Sequence, residues 1–149
     1  MIKAVVESTR EQIEVVDQYG NQLGILEIDL SDFNFLKRAE TCEKNIETLM
    51  DEAKKIAADK TDGDAAVVDQ ITSLDEKMKK ELDTMFDYGV SGVVFGNIHC
   101  MSMRNGVPFI ERFLDTILPI CKDVIKKESD ESNKRVAKYL PQDYQRKAK

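Results

Sequence analysis

At 149 residues with a net charge of -6, the chain is long enough to bury a core without disulfides or metals and too acidic to coat nucleic acid through its phosphates. Hydrophobic residues make up 42%, which excludes an intrinsically disordered chain. No run reaches the roughly 18–20 apolar residues that cross a bilayer, and none near Met1 has the form of a secretory signal. With three cysteines in no ligand-like spacing, reduced thiols in a cytosolic protein are expected.

In chain order, residues Met1–Glu7 read as a short strand or a loose start. Two β-prone runs, Ile13–Asp17 and Leu23–Asp29, then flank a polar connection at Gln18–Gln22. Gly20 and Asn21 tolerate positive φ, so the pair reads as a β-hairpin whose exposed edge invites strand addition. Ser31 or Asp32 is placed to cap a first helix. Its apolar stripe, Leu36, Ala39, Cys42, Ile46, Leu49, Ala53 and Ile56, repeats in steps of three and four. A KTDGD turn at Lys60–Asp64 leads to a second helix with the stripe Val67, Val68, Ile71, Leu74, Met78, Leu82, Met85, Phe86, stopped near Gly89. Two long amphipathic helices joined this closely predict an antiparallel helical hairpin.

The stretch Tyr88–Met103, YGVSGVVFGNIHCMSM, contains no Asp, Glu, Lys or Arg in a chain that is 34% charged. It is expected to be the joint of the molecule, with Val90–Phe95 forming a short helix or a strand. Pro108 suits the first turn of a third helix. Pro119 is expected to kink or end that helix, with a further helix running to Leu140 and Pro141 as its stop. The fold class expected is therefore mainly α with an N-terminal β-hairpin, as one domain: a hairpin arm over 1–30, a helical body over 31–140 and a mobile basic tail over 141–149. From Lys122 to Lys149 there are nine basic residues against five acidic, which a solvated helix end and a loose terminus account for.

No reaction centre emerges. His99 is the only histidine, and Ser91 lies in G-V-S-G, not in a nucleophile elbow. Phosphate-cradling glycine loops are missing. HCMSM (His99–Met103) offers an imidazole, a thiolate and two thioethers, but one tight cluster lacks the paired ligand spacing of a zinc site. Neither an enzyme, nor a metal, nor a cofactor is expected. What remains is apolar material: Phe95, Ile98, Met101, Met103, Phe109 and Phe113 fall close together, with Val94 and Ile117 beside them. Core packing accounts for many such residues. A groove for another polypeptide accounts for others, because Met and Phe adapt to irregular partners.

The order of these features resembles the small tail assembly chaperones of phages and prophages of Gram-positive bacteria. The resemblance rests on the DQYGNQLG turn, IDLSDFNFLKRAE, ELDTMFDYGVSGVVFG and FIERFLDTILPI, and spans about Ile13 to Lys138. The matching positions are Asp83, Phe86, Gly89, Val94, Phe95, Gly96, Phe109, Phe113 and Ile117; Phe-Asp-Tyr-Gly stands where Phe-Gly-Glu-Gly is expected. The resemblance implies a non-catalytic protein of the bacterial host cytoplasm. Such a protein binds the tape measure protein, and the tail tube protein is a further possible partner. It keeps the tape measure soluble during tube assembly, self-associates, and commonly has a frameshifted longer form. On that reading Val94, Phe95, Ile98, Met101, Met103, Phe109, Phe113 and Ile117 form the partner-binding set. The alternatives from the residues alone are a structural tail or connector component, or a small self-associating adaptor.

Overall fold

The computed structural model describes residues 1–29, 32–58 and 63–139. Ser31, the greater part of the Lys60–Asp64 turn, Leu140, Pro141 and the basic tail lie outside the described residues. Strands β1 (Arg10–Val16) and β2 (Gln22–Asp29) form an antiparallel hairpin. It is followed by α1 (Phe33–Ala58), α2 (Asp64–Phe86), a short α3 (Val90–Val94), a two-residue hairpin of β3 (Met103–Arg104) with β4 (Val107–Pro108), and α4 (Phe109–Tyr139). The protein is mainly helical with an N-terminal β-hairpin. Residues 1–9 carry no regular secondary structure and are exposed.

Local chemistry sets each boundary. In the first hairpin the Asp17 carboxylate accepts from the backbone N–H groups of Tyr19 and Asn21, both at 2.9 Å, and Gly20 adopts φ +83°. An Asx turn with a glycine in the left-handed region closes the loop. Asp32 Oδ1 accepts from the Asn34 N–H at 2.9 Å and so caps α1. The second helix stops at Asp87, whose φ of 62° and ψ of 26° make the left-handed cap that the sequence suggests for Gly89. Asp tolerates that region better than most residues because its side chain bonds locally. Asn105 (φ +52°) and Gly106 (φ +79°) turn the small hairpin, the two-residue Asn-Gly form that matches strand twist.

The helical pair is antiparallel: Arg38 Nε donates to the Met85 carbonyl at 2.9 Å, and Asn45 Nδ2 to Glu81 Oε2 at 3.0 Å. Earlier residues of α1 thus meet later residues of α2. Their facing stripes bury Ala39, Cys42, Ile46, Met78, Leu82 and Met85. Phe35, which the predicted stripe omits, is also buried, while Val68 is exposed.

Two carboxylates of α2 fasten the uncharged stretch onto this pair. Asp83 accepts from the Ser91 N–H at 2.8 Å and the Ser91 hydroxyl at 2.9 Å, which fixes the start of α3. Asp75 accepts from the Cys100 N–H at 2.7 Å and pairs with Lys79 Nζ at 3.0 Å. Between these anchors the ring of Phe95 meets Phe109 edge-on at 4.8 Å and Phe113 at 5.3 Å; Phe113 continues to Phe86, and Phe86 to Phe35. The five rings join the helical pair, the joint and α4 into one core.

Helix α4 continues through Pro119 as 31 residues without a break, so the expected second C-terminal helix is the continuation of the first. The hydrogen bond that proline removes would run to Asp115, and both residues are exposed, on the solvent side of the helix. The opposite side buries Ile117, Leu118 and Cys121, which offsets a cost of roughly 3 kcal/mol for an interior proline. Beyond Ile125 no described side chain of α4 is buried.

The hairpin sits on the joint through one close approach. A Cβ at Gly24 would lie 2.6 Å from the Val93 carbonyl oxygen, so β2 lies against α3 only with glycine there. Gly24→Ala is expected to destabilise the fold by about 1–3 kcal/mol through overpacking against backbone, read as a lower denaturant midpoint with an unchanged slope. Phe95→Ala, which empties the centre of the aromatic chain, is expected to cost ~3–5 kcal/mol; calorimetry should show a melting temperature lower by roughly 10 °C.

Candidate functional site

The eight residues of the predicted partner-binding set separate by burial. Val94, Phe95, Phe113 and Ile117 are core residues, so they hold the joint together and offer no surface of their own. Ile98, Met101 and Phe109 are half-buried, and Met103 is 59% exposed. The sequence could not separate them, because an apolar run without charges looks the same whether a helix covers it or not.

Two of the accessible members, Met103 and Phe109, line a groove of about 600 Å³ between the turn end of the first hairpin and α4, whereas Ile98 and Met101 are not part of it. Val15, Val16 and Leu23 form one wall, Met103 and Arg104 of β3 one end, and Phe109, Arg112, Phe113, Thr116 and Ile117 of α4 the floor. Three features build it. The irregularity between Val15 and Val16 in the β1–β2 register turns the end of the strand. The Asn105-Gly106 turn brings Met103 back over α4, where Phe109 N–H donates to the Ser102 carbonyl at 2.9 Å. Steps of four along α4 then place Phe109, Phe113 and Ile117 in one row. Asn-Gly between apolar residues was the available sequence signal for this hairpin, and hence for Met103.

Arg112 gives the groove a polar demand. Its guanidinium stacks over Phe109 with Cζ 5.4 Å from the ring centre, and Nη2 donates to the Ser102 carbonyl at 3.4 Å. Nη1 is buried and has no hydrogen-bond partner among the described residues. A buried donor left unpaired costs on the order of 1–3 kcal/mol, more when charged.

The other titratable cluster is Asp75, Lys79, His99 and Cys100. Burial alone would raise the Asp75 pKa; the Cys100 N–H and Lys79 outweigh it and hold the carboxyl below its ordinary value of 3.8. His99 Nδ1 accepts from the Met101 N–H at 3.0 Å and stands 3.9 Å from Asp75, so it shapes the turn. Burial pushes the Cys42 thiol up to about 12 and Cys121 to about 11, and raises Cys100 further; all three are buried and free, hence unreactive. Among the described residues no group of three or more His, Cys, Asp or Glu is placed to hold a metal ion, and no helix is long and apolar enough to cross a membrane.

No family model, no curated protein and no solved structure matches the chain.

Because the Asp75 pKa is lowered by folding, the folded state binds that proton more weakly than the unfolded chain does. Its contribution is complete above the unfolded value of 3.8 and is lost as pH falls through the lower folded value. Thermal midpoints measured from about pH 6 down to about pH 2 should therefore fall more steeply for the wild type than for Asp75→Asn, and the variant should be the less stable at neutral pH.

Proposed function

We propose that this protein is a non-catalytic tail assembly chaperone of a phage or prophage, acting in the cytoplasm of the bacterial host. It binds the tape measure protein and keeps it soluble while the tail tube assembles. The observation that carries the reading is the groove: an open apolar trough, walled by a β-hairpin and floored by a row of side chains spaced along one helix. A long apolar helix is recognised by anchors at such spacing, and Met103 and Phe109 supply adaptable surface for it. The resemblance in feature order from the hairpin to α4 supports the same client.

Co-expression tests this. With the wild-type chain, the soluble fraction of the tape measure protein should rise several-fold over an empty control. Met103→Asp places a charge in the groove at an exposed position, so it should keep the fold by circular dichroism and lose most of that effect. An equal soluble fraction with and without the chain would sink the reading. Mass spectrometry of purified virions should find the chain missing, whereas a structural tail component would be present in fixed ratio.

A further inference from the structure

We propose that residues 1–7 of one copy add as a third strand to the free edge of β1 in a second copy, and reciprocally, giving a two-fold dimer by arm exchange. This goes beyond the client reading and does not depend on it.

The hairpin has one covered edge and one open edge. On β2, the Glu27 N–H points away from β1 and donates to Tyr88 Oη at 2.9 Å, and Gly24 lies against α3. That edge is closed. Opposite residues of an antiparallel pair point their backbone groups the same way, inward or outward. Gln12 is paired with Glu27, so Gln12 points outward on the far side, and Arg10 and Glu14 share its parity. Arg10 agrees: its N–H donates outside the hairpin, to Ser8 Oγ at 3.1 Å. All three residues are exposed. A strand edge of this kind is a template for another strand.

The arm is a β-prone segment that joins no sheet of its own chain. MIKAVVE is β-prone, yet Ile2 is 99% exposed, Val5 91% and Val6 88%. It does not fold back on its own β1. Only Ser8 and Thr9 separate Glu7 from Arg10, and a two-residue hairpin loop needs positive φ at one or both positions. Ser and β-branched Thr resist that, and neither adopts it.

A second copy of β1 fits the arm in one register. Setting Lys3 opposite Glu14 sets Glu7 opposite Arg10, so both charge pairs are of opposite sign. The same register puts Ile2 beside Val15 and Ala4 beside Ile13. Val15 and Ile13 are the half-buried residues of the inner face, packed against the core, so the apolar alternation of the arm continues that face. The exchange is self-complementary, since each copy offers one arm and one edge, and it closes as a dimer.

The double variant Lys3→Cys/Glu14→Cys tests partner and register together in the full chain. In antiparallel sheets such a pair lies within disulfide reach, and the native cysteines are buried. Mild oxidation should give a covalent dimer on a non-reducing gel, with much less from the off-register pair Val5→Cys/Glu14→Cys. A monomer-mass intrachain disulfide, unreacted thiols, or equal dimer from both pairs would overturn the proposal. Light scattering gives an independent reading. The wild type should weigh twice 17.0 kDa, and Ile2→Asp/Val6→Asp, which changes only exposed side chains, should halve that mass with an unchanged circular dichroism spectrum. A monomeric wild type across concentrations, or an undiminished dimer in the variant, refutes it.

Discussion

The row of rings from Phe109 through Phe95, Phe113 and Phe86 to Phe35 is the contact on which the architecture depends. It ties the long helices to segments that would not be stable alone. The joint α3 is five residues long, below the length at which a helix persists in water. The first hairpin has only two strands, which is marginal without a packing face. The aromatic row and the two carboxylate anchors, Asp83 on Ser91 and Asp75 on Cys100, hold the joint against the helical pair, and the hairpin then rests on the joint at Gly24. The absence of charge in Tyr88–Met103 follows from this. Its buried residues, Val90, Ser91, Val94, Phe95 and Cys100, pack against the helices, and the polar groups of Ser91 and Cys100 are met by carboxylates from α2.

Periodicity made the helices legible. Ala39, Cys42 and Ile46, like Leu74, Met78 and Leu82, recur at helical steps and are buried as expected, and the short loop between the helices dictated their antiparallel order. What periodicity cannot show is where tertiary context overrides a local rule. Phe35 lies four residues before Ala39 on the same buried face and packs on Phe86 across the helical pair; the expected stripe began one residue late, at Leu36, because the start of the helix is not fixed by periodicity. Pro119 breaks no helix because its missing bond faces solvent while its neighbours Ile117, Leu118 and Cys121 are held from the other side. The αL stop fell to Asp87, two residues before the glycine that favours it, and Gly89 serves instead at the start of α3.

The candidate groove was legible as a set of residues but not as a surface. Val94, Phe95, Phe113 and Ile117 differ from Met103 only in what folds over them, and burial is a property of the whole chain, not of a window. Two small signals carried the difference. Asn105-Gly106 marks a tight hairpin that leaves Met103 at a rim, and Arg112 interrupts an otherwise apolar helix face with a guanidinium whose inner nitrogen finds no partner in the described chain. A charge tolerated on an apolar floor is inefficient for stability alone, which is why it points to something the groove receives.

The groove and the arm present one physical problem. Large apolar side chains at residues 1–7 and at Val16 and Met103 face solvent, and a free monomer that leaves both uncovered carries an association hazard. Arm exchange covers the arm and extends the inner face of the sheet at Val15, which is also a wall of the groove. On the two proposals together, partner copy and client would meet at the same residue, Val15. If the arm closes over that end of the trough, a client that needs the full trough must displace it, and linkage makes the effect reciprocal: client binding weakens the dimer by the same factor by which the dimer weakens the client. Under both proposals the apolar surface would be shielded while the protein is idle and exposed only in exchange for a longer apolar helix, which is the physical requirement for holding such a helix without aggregating first.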